Sequence, residues 1–168
     1  MTILSGKRGL IVGVANERSA AWGIAKKASD LGAELAFTYQ IPAFEKRIAP
    51  LAESVKSDIM IPCDLSEEAA AKRAMEQLST YWSEVDFVVH AVGFSDKQEL
   101  SGAYYNTSRQ NFRQTMLISA FSFTELAQAS APMMPNGGSL LPLSYLGSVR
   151  TTPNYNVMGV AKAALEAS

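Results

Sequence analysis

The 168 residues suffice for one domain with a sizeable core, and 48% apolar with 18% charged residues is an ordinary globular composition. A net charge of −1 leaves no basic face for nucleic acid and no polybasic tail for anionic lipid. A single cysteine, Cys63, excludes an intrachain disulfide, and with one histidine beside it no zinc site is expected.

In chain order, Gly9 to Val14 is a continuous apolar run with β-branched residues, expected as a strand covered on both faces. Ser19 to Leu31 has helical spacing at Ala21, Ile24, Ala25, Ala28 and Leu31, and Gly32 follows as a stop signal. Glu34 to Tyr39 is a second strand. Pro42 to Ser54 is a helix in which Pro50 predicts a break or late kink. Asp58 to Cys63 is a third strand with Pro62 at its end. Ser66, Glu67 and Glu68 open a helix reaching about Trp82, with acidic residues in its first turn. Asp86 to Val92 is a fourth strand. After a polar loop from Phe94 to Asn106, a long helix runs from about Thr107 to Ala131, ahead of Pro132 and Pro135. Ser139 to Leu143 is a fifth strand, in which Pro142 is at odds with a central position.

This alternation predicts an α/β fold: a parallel, doubly wound sheet with helices on both faces, as a single domain over 1–168. Ligands of such sheets bind beyond the carboxyl ends of the strands. Gly13 and Ser19 follow the first strand, Gln40 the second, Asp64 the third, Gly93 the fourth and Tyr145 the fifth. The loop GVANERSAAWG is not a GxGxxG fingerprint; its N–H groups can receive a pyrophosphate, but a capped helix without a ligand uses the same residues. Gln40 stands where dinucleotide folds often carry an acid; it can hydrogen-bond but neither strongly repels nor binds a 2′-phosphate, so NADH is preferred over NADPH only modestly, and it also fits a polar strand terminus. Asp64 suits either the adenine amino group or a helix cap. His90, inside FVVHAVG, is taken as structural and Cys63 as buried filler.

The stretch SYLGSVRTTPNYNVMGVAK, Ser144 to Lys162, holds two phenols and an amine. If a helix begins near Asn154, the step from Tyr155 to Lys162 turns through roughly 700° and rises ~10.5 Å, placing both on one face. A lysine there can hold ribose hydroxyls and favour the ionised form of a nearby phenol, which can serve a carbonyl oxygen. Tyr145 would sit across the same crevice. Ordinary helix and interface packing accounts for the same residue types.

The segments LSGKR (Leu4 to Arg8), GVANERS (Gly13 to Ser19), GAELAFTYQ (Gly32 to Gln40), LSYLGS (Leu143 to Ser148) and PNYNVMGVAKAALEA (Pro153 to Ala167) resemble the bacterial enoyl-acyl carrier protein reductases. That family is a divergent, NADH-dependent branch of the short-chain dehydrogenase/reductase superfamily with a Rossmann-type fold. Its Tyr-x6-Lys spacing separates it from ordinary members, which use Tyr-x3-Lys. The resemblance implies reduction of trans-2-enoyl-acyl carrier protein thioesters by NADH, NADPH being less favoured, in bacterial type II fatty-acid elongation. It implies that Tyr155 stabilises the enolate oxygen, that Lys162 binds the nicotinamide ribose, and that Tyr145 orients the thioester with Phe94, Ser95, Leu100 and Met158. Gly13, Ser19, Ala20, Gln40, Asp64, Leu65, Val92 and Gly93 match the cofactor contacts. Acyl carrier protein is the implied partner and a homotetramer the implied assembly, for which Met116, Leu117, Ala120, Phe121, Phe123 and Leu126 offer an apolar stripe that equally suits intrachain core.

Ala20 and Trp22 depart from the larger aliphatic residue and the tyrosine usual in that family. The chain stops at Ser168, so about a third of a ~250-residue domain is absent, and a protein ending here is expected to lack a closed site and to have little activity. A conventional keto/alcohol short-chain dehydrogenase and a non-catalytic dinucleotide-binding fragment are the alternatives, the first disfavoured by the spacing. The amino terminus has too short an apolar run for a secretory signal, and no window approaches the ~20 apolar residues of a membrane span, so a cytoplasmic location is expected.

Overall fold

The apolar run after Lys7 becomes the centre of a sheet. In the computed structural model, which describes residues 2–168, β1 (Arg8–Val12) is buried from Gly9 onward, as a strand covered on both faces must be. It pairs in parallel with β2 (Glu34–Tyr39) through Leu10↔Ala36 and with β4 (Phe87–His90) through Leu10↔Val88. β3 (Met60–Pro62) lies beyond β2, and β5 (Ser139–Pro142) beyond β4, giving the order β3-β2-β1-β4-β5. The chain therefore winds outward from β1 to β3 and returns to the other side of β1 at β4, the topological switch point of a Rossmann-type α/β fold.

The helices start and stop for local reasons. α1 (Ala20–Asp30) has Ser19 as its N-cap, with the hydroxyl accepting from the Trp22 N–H at 3.4 Å. It buries Ala21, Trp22, Ala25 and Ala28, and the Trp22 ring lies 6.3 Å from that of Phe37. α2 (Pro42–Ser54) places Pro42 in its first turn and runs on through Pro50, which therefore does not break it. α3 (Ala70–Leu78) is shorter than the expected Ser66 to Trp82. Ala69 is left-handed at φ 59°, so the helix cannot begin earlier, and the hydroxyls of Ser79 and Thr80 take the Glu76 and Gln77 carbonyls at its end.

The expected long helix is interrupted. α4 (Arg109–Met116) leads into a π-helical turn at Leu117–Phe121 and then α5 (Ser122–Ser130). The Ser122 hydroxyl donates to the Ile118 carbonyl within that turn. Pro142 is the last residue of β5, so it closes the strand and does not interrupt it. α6 (Asn156–Ala167) begins two residues later than expected and buries Val157, Met158, Ala161 and Leu165 along one face.

The chain divides into two compact units. One comprises residues up to Ala91 with Leu126–Leu141; the other comprises Val92–Glu125 and Pro142–Ser168. The first holds the sheet core, with Leu10, Ile11, Phe37, Ile48, Ile61, Leu78, Val88 and Val89 all fully buried. His90 and Cys63 are buried there as well. Asp86 joins the starts of β1 and β4, accepting from Lys7 Nζ at 2.7 Å and from the Arg8 N–H at 2.8 Å.

A methyl group on Gly9 would run into the Phe87 ring on the neighbouring strand. Gly9→Ala is therefore expected to cost about 1–3 kcal/mol through overpacking. Urea denaturation measures it, and an unchanged midpoint would show that Phe87 moves aside freely.

Among the described residues no helix is long and apolar enough to cross a membrane. The apolar stripe on α4 and α5 is split: Ala120 and Leu126 are buried, whereas Leu117 and Phe121 are 38% and 53% exposed.

Candidate active site

In the first unit, the residues beyond the strand ends are tied to one another. Gly13 follows β1 with φ +103°, a left-handed conformation that suits glycine. The Ser19 hydroxyl donates to the Asn16 carbonyl at 2.7 Å, and Ala20, the first helical residue, is exposed. Gln40 Nε2 donates to Asp64 Oδ1 at 3.1 Å. The same oxygen accepts from the Ser66 N–H at 2.9 Å and the Ser66 hydroxyl at 2.7 Å. Partial burial pushes the Asp64 carboxyl upward, but the Ser66 and Gln40 hydrogen bonds outweigh it and hold the group below its ordinary range. Asp64 thus caps a turn, not the following helix, which begins at Ala70. The Leu65 side chain is buried, so its backbone is what it can offer a ligand.

In the second unit, two tyrosines and a lysine hold defined positions. Tyr145 lies just before a 3₁₀ turn at Leu146–Ser148, with extended backbone, and is 52% exposed. Its ring meets that of Tyr155 edge to face, with centroids 5.0 Å apart. A methyl group at Gly147 would collide with the Tyr155 ring, so the turn presses directly on that side chain. Tyr155 is the N-cap of α6, at φ −124° and ψ −26°, not a residue inside the helix. The two full turns expected between Tyr155 and Lys162 are therefore incomplete at their start.

Lys162 is buried at 7% exposure. Its ammonium donates to the Val92 carbonyl at 3.1 Å and to the Leu143 carbonyl at 2.8 Å. Burial holds its pKa below the usual lysine value. Tyr155 is shifted the other way: burial first, then the neighbouring Tyr145, raise its phenol above the ordinary value. Lys162 is not among the groups that shift the Tyr155 phenol here. Tyr155 is held as the neutral acid, while the ammonium is engaged by two carbonyls.

The surrounding loop is fixed by a polar network. Ser119, carried on the π-helical turn and fully buried, accepts from the Phe94 N–H at 2.9 Å and donates to the Phe94 carbonyl at 3.0 Å. Asn111 Oδ1 accepts from the Asp96 N–H at 2.8 Å, and its Nδ2 reaches Ser95 Oγ at 3.1 Å and Glu99 Oε2 at 3.2 Å. Thr115 donates to Ser95 Oγ at 3.0 Å. The Ser95 hydroxyl is thereby committed to protein partners. Phe94 presents its ring to solvent, Leu100 is half-buried and Met158 is buried. Gly93 lies beside both Lys162 and Met158. A cavity of about 560 Å³ opens at Tyr155 and Asn156, bordered by Tyr104, Gly147, Thr152 and Val160.

Sequence reasoning missed Asn111, Thr115, Ser119, Glu99 and Asn156. Two signals were present: Asn111 and Thr115 are an i, i+4 polar pair on one helix face. Tyr155 also stands between two asparagines, a residue type that tolerates left-handed backbone. Asn154 and Asn156 indeed have φ +57° and +32°, strained conformations of a kind that costs on the order of 1–3 kcal/mol.

The profile of the family described as enoyl-(acyl carrier protein) reductase matches residues 13–168. Enoyl-acyl-carrier-protein reductase (NADH) 2 of Rhizobium meliloti (strain 1021) is 57% identical over 166 residues, which cover 99% of this chain and 62% of that protein. The crystal structure of FabI from Candidatus Liberibacter asiaticus superposes with a TM-score of 0.97 at 54% identity, over 99% of this chain and 65% of that one. The reductase from Anaplasma phagocytophilum in complex with NAD gives 0.96 at 51% identity, over 99% and 64%. The chain thus spans a little under two thirds of the length of these relatives. With the match running from the first glycine loop through the Tyr155 and Lys162 segment, the chain belongs to the enoyl-(acyl carrier protein) reductase family.

Proposed function

We propose that the protein reduces the carbon–carbon double bond of trans-2-enoyl thioesters presented on acyl carrier protein, with NADH as reductant. One observation carries this: a protonated Tyr155 phenol, set edge-on against Tyr145, precedes a helix whose buried Lys162 is anchored by the Val92 and Leu143 carbonyls. The donor set fits a nicotinamide nucleotide. An ammonium has three N–H groups and two are taken by carbonyls, so the third can meet a ribose hydroxyl. Val92 and Gly93 border that position, and we assign Gly13, Ser19, Ala20, Gln40, Asp64 and Leu65 to the adenosine and pyrophosphate part. Gln40 is neutral and Asp64 is held ionised, a pairing that supports NADH over the phosphorylated nucleotide.

When bound, the nicotinamide supplies hydride to the β-carbon of the enoyl group. Tyr155 donates a hydrogen bond to the thioester oxygen as negative charge collects there, and a preorganised donor at that atom lowers the barrier. Tyr145 braces the Tyr155 ring and, with Phe94, Leu100 and Met158, lines the acyl site; Ser95 acts by fixing the loop. In the same reading the protein works in the cytoplasm as a homotetramer, with exposed Leu117 and Phe121 available to a subunit contact.

The test is assay of the full-length protein with crotonyl thioester and NADH against a panel of ketones. Reduction of the thioester alone supports the assignment. Preference for ketones would identify a conventional dehydrogenase, and NADH binding without turnover a non-catalytic protein.

Affinity for NADH is expected to be level through neutral pH and to weaken on the alkaline side. Lys162 must be protonated to donate, and burial makes it lose that proton below the 10.5 of an exposed lysine. Burial and Tyr145 make the phenol keep its proton to higher pH than an ordinary tyrosine. Fluorescence titration at increasing pH checks this, and affinity that rises with pH would contradict it.

A further inference from the structure

Building on the assignment of Tyr155 as the donor to the thioester oxygen, we propose that Asn156 is a positioning residue whose carboxamide ties the Tyr155 backbone to the 99–102 segment and thereby aims the phenol. Asn156 directly follows Tyr155 and opens α6 with φ +32°, a left-handed backbone. Its Nδ2 donates to the Glu99 carbonyl at 3.0 Å, with the Gly102 and Ser101 carbonyls at 3.3 and 3.4 Å. Three acceptors around one amide nitrogen is a site that only a donor satisfies; a carboxylate there would face three carbonyl oxygens.

The far side of this tether is itself fixed. Glu99 Oε2 accepts from the Ser108 N–H at 2.8 Å and from Asn111 Nδ2 at 3.2 Å, and Asn111 is buried at 4% exposure. The hydrogen bonds to this carboxylate, that of the Ser108 N–H foremost, hold it below the ordinary glutamate range, so it stays a charged acceptor. A continuous path thus runs from buried Asn111 through Glu99 to Asn156, one residue from the phenol. Tyr155 has no helical backbone of its own to orient it, being the N-cap between two left-handed asparagines. Its ring direction is therefore set by Asn156 at the head of α6 on one side and the Gly147 turn on the other.

A double-mutant cycle in the full-length protein tests this, with kcat and KM for crotonyl thioester, NADH binding by fluorescence, thermal midpoints and a crystal structure of the Asn156→Gly variant. Glycine keeps the left-handed backbone and removes only the carboxamide, so it separates the tether from the φ angle. Asn156→Gly and Asn156→Asp are each expected to lower kcat by about ten- to a hundredfold, since small misplacements of a reacting group cost that much, with NADH affinity unchanged. In a Tyr155→Phe background, Asn156→Gly is expected to remove no further turnover, and the crystal structure of the Asn156→Gly single variant to show the Tyr155 ring displaced from Tyr145. Equal losses in both backgrounds, an unchanged kcat or an unmoved ring would each overturn the positioning role. If Tyr155→Phe alone leaves reduction intact while Asn156→Gly lowers it, the assignment of Tyr155 as donor is what fails, and the positioning role falls with it. Should the aspartate variant be too unstable to assay, the glycine variant alone decides.

Discussion

Replacing Tyr155 by phenylalanine in the full-length protein is expected to cut turnover of crotonyl thioester by about 10²–10³, the usual loss for one donor at a developing oxyanion. The KM for NADH should stay near its parent value, because the phenol is not among the groups assigned to the nucleotide. The ring itself should remain in place. Its edge contact with Tyr145 and its contact with the Gly147 turn involve carbon atoms that phenylalanine retains. Steady-state kinetics with both substrates varied separates the two parameters, and a variant that loses NADH affinity instead of kcat would contradict the assignment.

Lys162→Ala is expected to act in the opposite way. A hydrogen bond from a charged donor contributes about 1.5–3 kcal/mol, so NADH affinity should fall by roughly ten- to a hundredfold at 1.4 kcal/mol per decade. Stability should fall too. The Val92 and Leu143 carbonyls receive the ammonium at 3.1 and 2.8 Å, and a buried acceptor left without a donor costs about 1–3 kcal/mol. Isothermal titration with NADH and a thermal denaturation curve measure the two effects separately. Loss of nucleotide affinity with an unchanged melting midpoint would show that the carbonyls are satisfied by other means.

The sheet was legible because its strands are continuous apolar runs. Glu34 to Tyr39 reads as a strand from composition alone and is one. Helix limits were less legible where a single residue decides them. Nothing in Ser66 to Ala69 announces that Ala69 will turn left-handed and delay α3. The π-helical turn at Leu117–Phe121 was invisible for a related reason: it is stabilised from a distance, through Ser119 reaching Phe94, twenty-five residues away. Pro142 was puzzling only while β5 was taken to run on to Leu143; the strand ends at the proline, a limit that local pattern does not announce.

At the candidate site, spacing singled out Tyr155 and Lys162, but not how each is held. Spacing implies a common helical face; the chain instead places Tyr155 at the helix entrance, aimed by neighbours on both sides. The partners of the ammonium were equally hidden. Lys162 points its ammonium at backbone carbonyls contributed from positions 92 and 143, acceptors that no motif reveals. Polar residues that only support others, such as Asn111 and Thr115, carry no distinctive sequence and emerge when their partners are seen.

A crystal structure of the full-length protein with NAD and an unreactive enoyl thioester analogue asks the central question at one atom. It should show the Tyr155 hydroxyl about 2.5–3.0 Å from the thioester oxygen, with Lys162 on the nicotinamide ribose. A phenol turned away from that oxygen, with another group in its place, would contradict the account.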